Sequence, residues 1–182
     1  MVSPITLPAK RLLQDLWRQG IGWDEEIGAQ ESQSLRLRLS DLPLPSSAAL
    51  PRCLRTVDLG QIQDAELHKF ADASHIAYGT VSYARLVDEN DRTNGSFLAG
   101  KSRLPHMNQM TIPILELSAA VLAVRMNWIV QEKFQLKFDR TSFWADSTAV
   151  PQYIKTKDKR FYTFLANRLA VIHDGSEVSQ WN

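Results

Sequence analysis

Three extended stretches followed by one long apolar helix constrain this chain more than any other feature. The helix is TIPILELSAAVLAVRMNWIVQEKF (111–134), in which Leu115, Ala119, Leu122, Met126 and Ile129 fall on one stripe. Pro113 suits its first turn, where the missing N–H costs nothing. Ahead of it, ELHKFAD (66–72) and IAYGTVSYARLV (76–87) alternate and carry β-branched and aromatic residues, so both read as strands. SFLAGKSRL (96–104) is a third strand. DENDRTNG (88–95) is the turn before it, with Asn94-Gly95 as the strongest hairpin signal. After the helix, RTSFWAD (140–146) is a fourth strand, STAVPQYIK (147–155) a short helix, and RFYTFLANRLAVIHDG (160–175) a longer amphipathic one. In that last helix Phe161, Phe164, Leu165, Leu169 and Ile172 point inward and Gly175 is the C-cap. EVSQWN (177–182) begins a fifth strand.

The order β-β-β-α-β-α-α-β predicts an α/β fold. Its mixed sheet has three antiparallel strands, a crossover helix and then parallel strands, with helices on its faces. This unit occupies 61–182. Residues 1–60 read differently. A short amphipathic helix over 8–19 (Leu12, Leu13, Leu16, Trp17) ends at Gly20 and Gly22, and a weak helix lies around 32–42. LPLPSSAALP (42–51) is punctuated like a linker. Nothing in 1–60 assembles a site, and the segment reads as a tether or docking element.

With 44% apolar and 23% charged residues the chain is globular rather than disordered. Its net charge of +1 excludes a polybasic binder, yet residues 67–182 carry 14 Lys/Arg against 11 Asp/Glu. Lys155, Lys157, Lys159 and Arg160 concentrate that excess, either as a solvated helix end or as a patch facing phosphates. The lone Cys53 excludes a disulfide framework and fits a reducing compartment. No apolar run approaches the ~18–20 residues that span a bilayer, and no signal peptide is apparent, so a soluble intracellular protein is expected. Trp17, Trp23 and Trp128 read as packing residues, and the four histidines lack metal-ligand spacing.

Three carboxylates carry the chemistry. Phe70-Ala71-Asp72-Ala73-Ser74 and Trp144-Ala145-Asp146-Ser147-Thr148 rhyme, each placing an Asp at a strand end after an aromatic and an alanine. By alternation, Asp72 shares a face with Phe70 and Asp146 with Trp144. Glu116 sits between them in sequence, in the first turns of the apolar helix, where small neighbours permit close packing. Taken singly, Glu116 could merely favour the helix dipole and Asp146 could merely cap a helix. Together, with the first and fourth strands adjacent, they would repel unless their pKa values rise or a cation intervenes. Such hard oxygen ligands suit Mg²⁺ or Mn²⁺, and a pair of ions can clamp a phosphodiester for attack by water.

HKFADASHIAYGTVSY, GKSRLPHMNQMTIPILELSAAVLAVRM, FWADSTAVPQYIK and KRFYTFLANRLAVI together resemble the ribonuclease H region of BEL/Pao-type retrotransposon polyproteins. VSPITLPAKRLLQDLWRQGIGWDEEI resembles the connection that joins reverse transcriptase to that region. The chain departs from the family at Ile114, where Arg is usual. The resemblance implies Mg²⁺- or Mn²⁺-dependent cleavage of the RNA strand of an RNA–DNA hybrid, with two ions in the complete domain. Asp72, Glu116 and Asp146 would be its catalytic and metal-holding acids. RNA would be told from DNA by 2′-hydroxyl contacts in the shallow minor groove. Lys101, Arg103, Ser147, Thr148, Lys155, Lys157, Lys159 and Arg160 are the candidate nucleic-acid contacts. The reverse transcriptase of the same polyprotein would be a partner, with no membrane involved. The location would be cytoplasmic, in the retroelement particle, with the nucleus as a second site.

The family pattern also places a fourth acid beyond Asn182, so the alternative is a weak or inactive nucleic-acid-binding or structural remnant. An aspartic peptidase is disfavoured: it needs Asp-Thr-Gly or Asp-Ser-Gly, and neither occurs.

Overall fold

The computed structural model describes residues 3–40, 53, 54, 56, 58–106, 110–156 and 162–182. Two helices come first, α1 (Ser3–Gln19) and α2 (Ala29–Ser40). Strands β1 (Ile62–Ala73), β2 (Tyr78–Asp88) and β3 (Thr93–Arg103) follow. Helix α3 (Ile112–Lys133), strand β4 (Arg140–Ala145), and helices α4 (Ala149–Lys155) and α5 (Thr163–Gly175) complete the order. The sheet runs β3-β2-β1-β4; β1 pairs antiparallel with β2 and parallel with β4. This is the expected mixed sheet.

One face of the sheet is covered. Along β1 the buried positions are Ala65, Leu67, Lys69 and Ala71, and along β2 they are Thr80, Ser82, Ala84, Leu86 and Asp88. Helix α3 lies over both strands. Its buried Ser118, Ala119, Ala120 and Ala123 let the backbone come close, and Leu115, Leu117, Val124 and Val130 fill the space around them. Phe143 of β4, Val150 and Ile154 of α4, and Leu169 and Ile172 of α5 join α3 in one cluster. Each large side chain fully buried there contributes roughly 1.5–3 kcal/mol of transfer free energy. Gly175 ends α5 against α3, where a Cβ would collide with Val124 and Trp128, so the glycine sets how closely the two helices pack. Helix α3 is long and apolar enough by composition to cross a membrane, contrary to the sequence reading, but most of it is buried inside this core.

Several expectations are corrected. Asn94 and Gly95 lie within β3, paired with Leu86 and Arg85; the turn falls at 89–92. Asp88 draws it there: its carboxylate accepts from the backbone N–H groups of Asn90 and Arg92, both at 2.9 Å, and of Gly60 at 2.9 Å. Asp91 takes the left-handed conformation (φ 58°) that this turn demands. Burial pushes the Asp88 carboxyl up, but those three donors and the Arg92 guanidinium outweigh it and hold the group below its ordinary value. The expected fifth strand is mostly a 3₁₀ turn (Val178–Gln180). Only Trp181 and Asn182 pair with β4, through the Phe143–Trp181 bridge and the Asn182 N–H to Phe143 carbonyl bond.

Ile129 and Phe164 are exposed rather than inward, and Phe161 lies outside the described residues. Trp17 and Trp23 are exposed at 63% and 84%, so neither is a packing residue. Helix α1 starts earlier than expected and closes as read: Gly20 (φ 79°) takes the αL position, Ile21 N–H returns to Leu16 O and Gly20 N–H to Trp17 O. The helix lies beside β3 and is tied down by the Gln14 Nε2 bond to Pro105 O, 2.8 Å.

Candidate active site

β1 and β4 run parallel with Phe70 opposite Trp144 and Ala71 opposite Ala145. The next residue on each chain segment is the acid: Asp72 is still paired with Gly79 of β2, while Asp146 lies just past the end of β4, at the corresponding position. The rhyme in the sequence is therefore a register pair. Phe70 and Trp144 stack across it, centroids 6.1 Å apart and planes at 15°. Arg140 secures the same register at the strands' other ends, reaching Asp64 at 3.0 Å and Glu66 at 2.6 Å. Glu66 also accepts from Arg85 (3.0 Å) and pairs with His68 (3.1 Å). Partial burial raises the Glu66 carboxyl, but His68, Arg85 and Arg140 more than offset that and hold it below its ordinary value.

Both aspartates are exposed. Asp72 accepts from the backbone N–H of Ala73 at 2.7 Å. Asp146 does not cap α4: the Ala149 N–H goes to Ser147 Oγ at 3.2 Å, and Thr148 occupies the N-cap without a side-chain bond. Ser147 thus has a structural task, and among the described residues the Asp146 carboxylate makes no hydrogen bond or ion pair. Glu116 lies half-buried in the first turns of α3, the helix packed on β1. The donor chemistry suits a hard divalent cation. Among the described residues, however, no three acid, histidine or cysteine side chains gather as a metal-holding group. The parallel register sets Asp72 and Asp146 on neighbouring strands, and Glu116 stands on the helix that packs on β1.

Lys101 and Asp72 line one open groove of about 830 Å³, together with Phe70, Tyr83, Phe97 and Thr6 of α1. Arg103, at the end of β3, lies instead in a small cleft between the sheet edge, α3 and α5. Lys155 is exposed at the end of α4. Lys157, Lys159 and Arg160 lie outside the described residues.

Two features escaped the sequence reading. Rings of all four strands form a row across the uncovered face: Phe97–Tyr83 at 5.7 Å, Tyr83–Phe70 at 6.1 Å and Phe70–Trp144 at 6.1 Å. Trp144 Nε1 donates to His68 Nδ1 at 3.2 Å, at the end of the row. The second feature is Arg168, which follows Leu165 at helical spacing and so falls among the inward positions of α5. That misplaced charge was the available signal.

A parallel strand added to an antiparallel meander by a crossover helix, with helices over the sheet, defines a ribonuclease H-like domain. The chain belongs to the family described as the Pao retrotransposon-like RNaseH-like domain, whose model matches residues 1–147. The match spans both the helical segment and the sheet as far as Asp146 and Ser147. A search of curated proteins finds no match. Solved structures similar to this chain include RNase H1 from the archaeon Halobacterium salinarum (14% identity, TM-score 0.39, covering 64% of this chain and 80% of that one). LC11-RNase H1 in complex with an RNA/DNA hybrid is comparable (13%, TM-score 0.39, 65% and 81%). A foamy viral protease-reverse transcriptase in complex with double-stranded DNA aligns over 95% of this chain and 29% of its own, at 14% identity and TM-score 0.35. At such values the assignment rests on the family model and the topology.

Proposed function

We propose that this domain hydrolyses the RNA strand of RNA–DNA hybrids in a reaction that depends on Mg²⁺ or Mn²⁺. The observation that carries the reading is the placement of Asp72 and Asp146 at matching ends of the parallel pair β1–β4. Two exposed carboxylates so placed repel each other, and a hard cation relieves that repulsion. Asp72 and Asp146 would hold it, with Glu116 as the third acid. A bound divalent ion supplies a more acidic water and takes up charge on the departing oxygen. Asp72, in the groove it shares with Lys101, would orient the attacking water, and Lys101 would take a backbone phosphate without reading sequence. Contacts to 2′-hydroxyls would select the RNA strand. Residues 1–60 would serve as the connection to a reverse transcriptase of the same polyprotein.

Cleavage of a labelled hybrid in Mg²⁺ tests this. Asp72→Asn and Asp146→Asn are each expected to lower the rate by about two orders of magnitude or more, in the range of lost acid–base and positioning groups. Cleavage at the wild-type rate by Asp72→Asn would place the chemistry elsewhere. A second reading, a domain that binds hybrid without cutting it, is favoured by the absence of a three-ligand cluster among the described residues. Hybrid binding with no cleavage at any Mg²⁺ or Mn²⁺ concentration would select it.

A further inference from the structure

Three arginines, Arg103, Arg125 and Arg168, line one cleft where α3, α5 and the end of the β2–β3 ladder come together. Arg103 and its register partner Tyr78 supply the sheet edge. Ser118, Leu122 and Arg125 form one stripe of α3, while Asn167, Arg168 and Val171 come from α5. The helices lie side by side, since Ser118 meets Arg168 and Val124 and Trp128 meet Gly175. The half-open cleft has about 180 Å³, below the roughly 300–1,000 Å³ of pockets that take drug-sized molecules, and shares Tyr78, Arg103 and Arg168 with a wider groove of about 440 Å³. It suits a single small group.

No carboxylate among the described residues pairs with Arg103, Arg125 or Arg168. Arg168 is the best held of the three. Its Nε donates to Ser118 Oγ at 3.0 Å, its Nη1 to Phe164 O at 3.2 Å, and its guanidinium lies 3.4 Å over the Phe164 ring. These bonds fix the plane of the guanidinium and leave further N–H donors uncommitted. Burial and the nearby Arg125 charge lower the Arg168 pKa, with Tyr78 acting the other way, so the two arginines sense each other. Like charges around a small cleft, with no acid paired to them among the described residues, are the arrangement a doubly ligated oxyanion relieves.

We propose that Arg103, Arg125 and Arg168, with the Tyr78 hydroxyl, form a binding site for one phosphate group; Ser118, whose O–H donates to Ile114 O at 2.7 Å, serves to orient Arg168. The group is a tetrahedral oxyanion. Its source is a phosphate of the nucleic-acid backbone, and this last point rests on the hybrid-cleaving reading above; the anion site itself does not.

Inorganic phosphate titrated into the protein, followed by the arginine Nε–H resonances in NMR, tests the site. The Arg168 signal should shift saturably, and Arg125→Gln should weaken the affinity roughly tenfold or more, as loss of a charge-assisted bond implies. Arg125 is exposed and makes no hydrogen bond or ion pair among the described residues, so the variant should melt with the wild type. No saturable shift, or an affinity unchanged in Arg125→Gln, overturns the site. The source is read separately, from hybrid affinity against salt. Arg125→Gln should reduce the slope of log affinity on log salt by about one. Phosphate binding with an unchanged slope overturns the backbone assignment and points to free phosphate. Saturable phosphate binding by a protein that cuts no hybrid would leave the site standing while the catalytic reading fell.

Discussion

The two faces of the sheet follow the same alternation and use it for different ends. On the covered face the strands present Ala65, Leu67, Ala71, Ala84, Leu86 and Phe143, all buried; Leu67, Ala71 and Phe143 pack with the helices, and Ala65 and Leu86 with Leu59, Leu136 and Phe138. On the other face, one residue out of phase, stand Phe70, Tyr83 and Trp144, each 38–43% exposed. Small aliphatic side chains let a helix come close; broad rings pack edge to edge with each other and remain half wet. Asp72 and Asp146 belong to the second phase, two residues beyond Phe70 and Trp144. The two aspartates therefore continue the open face, whereas Glu116 stands on α3, the helix that packs on the covered one.

The sharpest break in this comparison is Phe143→Ala. Phe143 is fully buried and stacks on Trp181, centroids 4.7 Å apart, so the cavity left should cost about 3–5 kcal/mol in urea unfolding. Next comes Lys69→Met, because Lys69 is the one cation on the covered face of β1. Its Nζ donates to Ser82 Oγ at 2.8 Å, and burial pulls its pKa from 10.5 down to about 7. The unfolded chain takes up that proton below about pH 10.5 and the folded one only below about 7. Wild-type stability should therefore fall as pH drops from 10.5 to 7 and level off below. The methionine variant should lack this slope and be more stable at neutral pH, by up to about 4 kcal/mol. The smallest effect belongs to the open face: Phe70→Ala should cost about 0.5–1.5 kcal/mol for each ring pair lost, as its ring is 43% exposed. A loss as large as that of Phe143→Ala would mean the ring row is part of the core.

The faces are visible in the sequence because β1 and β2 keep a two-residue rhythm, whereas β3 slips where it passes Ser82 and Tyr83. Helix α3 is buried on nearly every side over 115–127, so the single stripe read for it failed at Ile129. The rhyme KFADAS–FWADST carried further: a parallel register turns a repeated pattern into a spatial pair. Local rules failed where a distant group decided. Asn94-Gly95 is a good turn, yet Asp88 gathers three backbone donors and closes the hairpin earlier. Asn94 is instead drawn into β3 by its bond to the Leu54 carbonyl, 2.7 Å, forty residues upstream. Nothing in a strand pattern reveals that Lys69 is buried rather than at an edge, since a polar residue in that phase reads equally well as a break in the face. The arginine cleft needed the pairing of two helix stripes, which no single segment carries.

The clasp of Arg140 on Asp64 and Glu66 has a mechanical side. It grips β1 and β4 at the ends remote from Asp72 and Asp146, where Glu66 and Arg140 are register partners. Between the clasp and the acids lie the successive rungs of the ladder, each with its own play. The spacing of the two carboxylates is thus set like the tip of a pair of rulers pinned at the far end, and loosening the pin should widen the scatter at the tip. Changing Arg140 would then alter how uniformly the acids meet across a population of molecules, at a site it never touches.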